Sequence, residues 1–246
     1  MLKNYRQIWI DWVERNEMKI NLNKSKALNF TRARVKEPLN YSLGDQKISE
    51  ASCCKYLGII IWNDLSWTDQ VNYMVQKVWR ALHFVMCIVK NGNKNMKSLA
   101  YMSLARPILE YGAACCNPYR EGEVSALDRV QNKAAKFVRL SGGSDWESLA
   151  QHRKTACMCA LYKAYTSERA WKAIGDRLQV PSYLSRVNHY WKIRARKQRT
   201  DIGKYSFVNR SITDWNKLPE LAIGTSHGKM HILKMRVRKV KISEGK

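Results

Sequence analysis

The residue types that could carry chemistry in this chain are its acids, thiols, histidines and basic side chains, and only the last are abundant. Two-metal phosphoryl or nucleotidyl transfer needs clustered carboxylates that hold cations a few ångströms apart. The 20 acidic residues include no Asp-Asp or Glu-Glu neighbours. The nearest pairs, Glu121/Glu123 and Asp145/Glu147, fall in loops or at helix starts, where capping or the helix dipole accounts for them. The seven cysteines include Cys53-Cys54, Cys115-Cys116 and the Cys157/Cys159 pair, with His152 five residues before Cys157. None has the CxxC spacing that turns two thiolates toward one zinc, so small buried or free thiols are the expectation. There is no G-x-S-x-G, no P-loop and no G-x-G-x-x-G, and the five histidines are scattered through polar contexts that read as surface or boundary positions.

The basic residues point elsewhere. There are 44 Lys and Arg against 20 Asp and Glu, a net charge of +24. Such an excess favours a polyanionic partner, because each phosphate neutralised releases condensed counterions. From Arg186 to Lys246 the chain holds 16 basic and 4 acidic residues, a net of +12, so half of the excess lies in its last quarter. Within it, "WKIRARKQR" and "KMRVRKVK" interleave basic with apolar or aromatic residues, a pattern that suits backbone tracking combined with base stacking. The candidate phosphate contacts are Lys192, Arg194, Arg196, Lys197 and Arg199 in the first run, and Arg236, Arg238, Lys239 and Lys241 in the second. A solvated face or a nuclear import signal is the competing reading of each.

No signal-peptide pattern is read, and the longest apolar run, Tyr56 to Trp62 with its glycine counted, is seven residues, far short of a bilayer span. No membrane partner is expected. An odd cysteine count without secretory context predicts reduced thiols and a nuclear or cytoplasmic location.

The elements that must position these residues fall into three stretches. Tyr5–Glu17 predicts an amphipathic helix with Tyr5, Ile8, Trp9 and Trp12 on one side. Leu28 and Phe30 alternate with polar neighbours as in a strand, and "YSLGDQKIS" predicts a turn between two short antiparallel strands. "KYLGIIIWNDLSW" reads as a buried strand ending in a polar turn, with a glycine inside its apolar run. The pattern is helical thereafter. Val71, Val75, Val78, Leu82, Val85 and Val89 share one face of a helix capped by Ser66 or Thr68 and ended by "NGN" at 91–93. A second helix over about Lys94–Ala114 is expected to kink at Pro107. A third presents Val124, Leu127, Val130, Ala134 and Phe137, and a fourth, capped by Ser144 or Asp145, reaches about Thr166. Beyond Val180, Ile212, Trp215 and Leu218 form a short apolar face closed by Pro219, and "KMHILKMRVRKVKI" fits a helix or a strand equally. The fold class is α+β, mostly α: residues 1–66 a small α+β piece, 67–180 a helical bundle, 181–246 a basic region.

"WVERNEMKINLNKSKALNFTR" followed by "KYLGIIIWNDLSW" resembles the end of the reverse-transcriptase palm in non-LTR (LINE-type, jockey-like) retrotransposons. "SLARPILEYGAACCNPY", "LDRVQNKAAKFV" and "SFVNRSITDWNKLP" are similar to the thumb and downstream segments of the same polyproteins. The similarity runs over roughly residues 5 to 240, in several blocks in the right order. It implies that the "YLG" hairpin holds a primer end, with Lys55, Tyr56, Leu57 and Gly58 as primer-side contacts and glycine leaving room for a sugar-phosphate. It implies too that Trp62 and Trp67 pack the hairpin onto the first thumb helix. From the residues alone, Gly58 reads as a β-bulge glycine beside core tryptophans.

The family's metal-binding carboxylates lie upstream of the matched segments, so the resemblance implies a fragment that binds RNA, DNA or a hybrid and is not a catalyst alone. No cofactor is expected of it; magnesium would be required only with the missing palm. Two other readings stand beside this one. The chain is the C-terminal portion of an RNA-directed DNA polymerase completed by its palm and fingers, or it is a helical interaction module or decayed gene product.

Overall fold

A computed structural model describes residues 13, 15–18, 21–31, 41–43, 46–138, 147–166, 178–183, 191–223 and 230–240. The architecture is α+β and mostly helical, and among the described residues the strands are confined to the N-terminal part. The chain divides into two compact units, Met1–Trp67 and Thr68–Lys246.

The first unit holds three two-stranded sheets. Strand β1 (Lys26–Ala27) pairs in parallel with β4 (Ser49–Glu50), while β2 (Ser42–Leu43) and β3 (Gln46–Lys47) pair antiparallel around the expected turn. The strand expected at Leu28–Phe30 is not formed. The Thr31 N–H turns back to the Asn29 carbonyl at 3.0 Å, which breaks the extended path, and Phe30 is exposed. The expectation of antiparallel strands alone is also corrected, by the parallel β1–β4 pair. The helix expected over Tyr5–Glu17 lies largely outside the described residues.

"KYLGIIIWNDLSW" is not one strand. β5 (Cys53–Tyr56) folds straight back as β6 (Ile59–Trp62), in the continuous register Cys53↔Trp62 to Tyr56↔Ile59. Leu57 and Gly58, with φ of 47° and 79°, are the two central residues of the turn. Positive φ at both positions marks the primed hairpin turn, whose twist matches that of the flanking strands. Glycine at 58 is therefore a turn residue; the unbroken ladder leaves no bulge. Leu57 takes the left-handed conformation without that freedom, at a cost of about 1–2 kcal/mol.

The second unit begins with α1 (Thr68–Ile88), which buries Val71, Met74, Val78, Leu82 and Val85. Spacings of three and four keep these on one stripe, and each contributes about 1.5–3 kcal/mol relative to exposure. Met74, not Val75, completes the stripe, and Val89 falls beyond the helix end, in a turn where the Gly92 N–H bonds the Val89 carbonyl at 3.0 Å. Asn93 then caps α2 (Lys94–Ala100) by accepting from the Met96 N–H at 2.9 Å.

The expected interruption at Pro107 takes a definite form. Tyr101–Ala105 is a π-helical turn, closed by the Arg106 N–H on the Tyr101 carbonyl, and α3 (Arg106–Glu110) follows with Pro107 in its first turn. An unbroken α-helix would press the Pro107 ring against the Ser103 carbonyl, and the wider turn sits where that clash would fall. Helix α4 (Glu121–Val138) lies against α1 and buries Leu127, Val130, Gln131, Ala134 and Val138. Val124 and Phe137 are only partly covered, so the buried stripe is turned from the expected face.

Helix α5 (Leu149–Tyr165) is capped by Ser148, whose side chain accepts from the Gln151 N–H. This cap stands later than the expected Ser144 or Asp145, both of which lie outside the described residues. Leu149, Cys157, Met158, Leu161, Tyr162 and Ala164 are all buried, because α5 packs against α3 and also against elements from the C-terminal quarter. After α6 (Asp201–Lys204), these elements are α7 (Phe207–Trp215) and, beyond α8 (Glu220–Ile223), α9 (Met230–Lys239); α6 packs on α7 and α8 on α9. The ambiguous "KMHILKMRVRKVKI" is thus a helix over its described part. One core cluster joins Met158, Leu161 and Tyr162 of α5 to Ile193, Ile212, Trp215, Leu218, Ile223, Leu233 and Val237. The basic C-terminal segments are anchored on this cluster.

Candidate nucleic-acid interface

The first basic run is a segment without helix or strand over 192–198, with a buried root. Ile193 is 1% exposed and enters the core cluster, while its neighbours Arg194, Arg196, Lys197 and Arg199 are exposed and Lys192 is half-buried. Asn216, just past the end of α7, takes both backbone groups of Ile193. Its Oδ1 accepts from the Ile193 N–H at 3.0 Å and its Nδ2 donates to the Ile193 carbonyl at 2.8 Å. Trp215 Nε1 donates to the Trp191 carbonyl at 2.8 Å, and the Arg194 N–H donates to the Gln179 carbonyl at 2.8 Å. At the far end Thr200 caps α6 by accepting from the Gly203 N–H at 3.2 Å. The segment is held at both ends, and four cations between them face solvent.

The second run is the C-terminal half of α9. Leu233 and Val237, one turn apart, are buried against the cluster shared with α5, and Arg238 and Lys239 lie exposed on the outer side with Arg236 half-buried. Arg238 Nε pairs with Glu147 Oε2 at 3.2 Å. Lys241 lies outside the described residues. Basic residues in the last turn also suit the negative end of the helix dipole, a structural use that coexists with phosphate contact.

The interleaved apolar residues were expected to stack on bases, and the structure gives them another task. Trp191 is half-buried and packs edge-on against Tyr165, ring centroids 6.1 Å apart, while Ile193, Leu233 and Val237 are buried. They are the roots by which charged segments are fixed to the core. The two runs display charge and little aromatic surface.

The hairpin tip differs. Lys55, Tyr56, Leu57 and Gly58 are all exposed, Tyr56 by 64% and Leu57 by 71%. An apolar, left-handed residue at the outermost point of a turn is disfavoured by sterics and by solvation together.

Part of the positive charge is spent inside the fold, which composition did not reveal. Arg153, 4% exposed, donates to the carbonyls of Leu109 and Cys116 and, at 3.5 Å, to Asn117 Oδ1. Arg210 reaches the Asn117 and Pro118 carbonyls at 2.8 and 3.4 Å. Together they fix the loop that follows α3, whose carbonyls have no helical partner. Burial pushes the Cys116 thiol up to about 12 and the Cys157 thiol up to about 11, so both are unreactive core groups.

His152 also has a definite place. Its Nδ1 lies 3.1 Å from Glu110 Oε1 and its Nε2 2.7 Å from Glu147 Oε2, and both nitrogens donate only when the ring carries two protons. Arg106 Nε donates to Glu110 at 2.6 Å and its Nη2 to the Glu147 carbonyl at 3.1 Å. Burial raises the Glu110 carboxyl, but hydrogen bonds from His152 and Arg106 outweigh it and hold the group at about 2. Glu147 thus links α3, α5 and the basic helix α9. Helical spacing gave no sign of this cluster, because its members come from four separate stretches.

Glu121 and Glu123 sit in the first turn of α4, where they complement the helix dipole, and Glu123 Oε1 accepts from Thr68 Oγ1 at 2.9 Å. Among the described residues no three His, Cys, Asp or Glu side chains gather to hold a metal ion. No helix among them is long and apolar enough to cross a membrane. Comparison with protein-family models, curated proteins and solved structures returned no match.

Proposed function

We propose that this chain is a nucleic-acid-binding module that grips the phosphate backbone of RNA, DNA or an RNA/DNA hybrid without reading sequence. The observation that carries it is the irregular segment around Arg194–Arg199, rooted by Ile193 and Asn216 and presenting four exposed cations. A row of positive charge on an anchored backbone gains by counterion release and loses little backbone freedom on binding. Lys192, Arg194, Arg196, Lys197 and Arg199, with Arg236, Arg238, Lys239 and Lys241, are the phosphate contacts in this reading.

The sequence resemblance supports a thumb-like role beside the palm of a non-LTR reverse transcriptase. The exposed, strained tip of the β5–β6 hairpin favours the related reading that Lys55 to Gly58 touch a primer strand once palm and fingers are joined to this segment. In that setting the chain is a positioning part of a polymerase, and the metal chemistry belongs to the upstream carboxylates.

The direct test is fluorescence anisotropy of the purified chain with labelled single-stranded RNA and with hybrid duplex across a salt series. If six phosphates are engaged, affinity between 50 and 200 mM salt is expected to fall by about 10³-fold for the duplex and about 300-fold for the single strand. A flat response would contradict the reading. Primer extension by the chain only after addition of the upstream half would establish the polymerase setting.

A further inference from the structure

The apolar residues inside the two basic runs are anchors, so a base that stacks on this chain needs a ring from elsewhere. Tyr119 and Tyr205 lie face to face, ring centroids 4.1 Å apart and planes 5° from parallel. One comes from the loop after α3 and the other from the turn between α6 and α7. Consecutive residues of α7 hold both. Arg210 donates to the carbonyls of Asn117 and Pro118, at 2.8 and 3.4 Å, and so fixes the backbone that leads into Tyr119. Asn209 Nδ2 donates to the Gly203 carbonyl at 2.7 Å and to Ser206 Oγ at 3.1 Å, on either side of Tyr205 in sequence. The Tyr205 N–H closes the turn on the Asp201 carbonyl at 2.8 Å.

This pair stands beside the first basic run. Arg199 leads through Thr200, the cap of α6, into the turn that ends at Tyr205. The run also packs on that turn. A Cβ at Gly203 would lie 2.6 Å from Gln198 Oε1 and 3.3 Å from Gln198 Cβ, so the Gln198 side chain covers the glycine of α6. Tyr119 fills one face of the Tyr205 ring, and the Lys204 ammonium, 5.2 Å from the centroid, therefore lies over the other. Lys204 is exposed, while Tyr119 and Tyr205 are half-buried. The outer face of Tyr205 thus carries a solvated lysine tip, a weak contact that a flat ring can replace.

We propose that the outer face of Tyr205, backed by Tyr119, is a stacking platform for one base of the single strand whose phosphates lie along Arg194–Arg199. The inference rests on the nucleic-acid reading above and adds to it the contact that charge alone cannot make. Every base offers a π face, so the platform gains affinity without reading sequence. On binding, Lys204 leaves the ring for a phosphate beside that base, and the tyrosine pair, already fixed from α7, gives up little freedom. A duplex keeps its bases stacked on one another, so this contact favours a single strand.

Anisotropy titrations of the full chain test it, with a single-stranded RNA and an abasic strand of equal length as probes. Tyr205→Leu keeps apolar bulk and removes the ring; it should bind the RNA about 10-fold more weakly with an unchanged salt slope. Tyr205→Phe should stay within about 2-fold of the parent, since it keeps the π face. Parent and Tyr205→Leu should bind the abasic strand alike. Photocrosslinking needs no variant: RNA carrying iodouridine, irradiated with the parent chain, should link to Tyr205 by mass spectrometry. If Tyr205→Leu binds RNA as the parent does, or weakens equally for the abasic strand, or if bound RNA crosslinks only elsewhere, the platform is wrong and the phosphate reading stands. If the parent binds neither strand, platform and reading fail together.

Discussion

The carboxamide of Asn216 closes on the peptide of Ile193 from both sides, Oδ1 on the N–H at 3.0 Å and Nδ2 on the carbonyl at 2.8 Å. One side chain thereby satisfies two backbone groups that Ile193 carries into the core, and the basic run beyond it gains a fixed starting point. Leaving a buried donor or acceptor unmet costs about 1–3 kcal/mol each. Asn216→Leu should lower unfolding free energy by about 2–4 kcal/mol. Asn216→Asp should cost a similar amount, since it keeps the acceptor but sets a carboxylate oxygen against the Ile193 carbonyl. Denaturant melts give the energies, and hydrogen exchange at the Ile193 amide should accelerate in the leucine variant. Unchanged exchange there would mean that the clasp does not hold the segment.

Arg153 makes a second stability prediction. Its guanidinium is buried and meets carbonyls of Leu109 and Cys116, which sit at and after the C-terminal end of α3. Arg153→Met keeps the length and removes the donors, leaving those carbonyls without a partner. A loss of about 2–4 kcal/mol is expected in thermal or chemical denaturation. Arg153→Lys should recover only part of it, because one ammonium cannot span the fork that the guanidinium fills. A melting temperature equal to the parent's in the methionine variant would refute the assignment.

The hairpin tip should be improvable. Asn-Gly is the preferred pair for a turn with positive φ at both central positions, and Leu57 occupies the first of these at 47°. Leu57→Asn should therefore stabilise the hairpin by about 1 kcal/mol, and Gly58→Ala should destabilise it by a similar amount. Nuclear magnetic resonance shifts across Cys53–Trp62 report hairpin population directly. If Leu57→Asn also weakens binding of a primed template, the strained leucine is kept for contact and not for folding.

The Glu110 cluster sets an acid limit. The Glu110 carboxyl is held at about 2 against an ordinary value of 4.5, because bonds from His152 and Arg106 outweigh the burial that would raise it. A carboxyl depressed in the folded state contributes stability that is fully present above its unfolded value and is lost as pH falls through the folded one. The stability difference between the parent chain and Glu110→Gln should accordingly be constant above about 4.5 and shrink toward about 2. Urea melts of both proteins across that range check the sign; a gap that widens with acid would reverse it.

Much of the helical part was legible because its signals are local. Val78, Leu82 and Val85 repeat at helical spacing, "NGN" ends one helix and caps the next, and Pro107 marks the interruption. What escaped was set by partners distant in sequence. Met74 outranked Val75 because α4 and the π turn lie on that side of α1. The α5 stripe was hidden because nearly its whole circumference is buried, so its periodicity is flat. From the residues alone the turn at Leu57-Gly58 was hidden, because leucine is a poor turn residue and the apolar run read as one strand; only the resemblance pointed to a hairpin at "YLG". Among the candidate phosphate contacts, sequence located the charges and not their supports. Trp191, Ile193 and Val237 looked like stacking or spacer residues, and they are the anchors.

The central claim is that the exposed cations of the segment rooted at Ile193 contact phosphate. Its most direct measurement compares the salt dependence of RNA binding by the parent chain with that of the quadruple variant R194Q/R196Q/K197Q/R199Q. These positions are exposed, so the melting temperature should be unchanged. The account predicts a slope of log affinity against log salt that is shallower by about 3, since each phosphate neutralised on a single strand contributes about 0.7. Coincident slopes for the two proteins would contradict it.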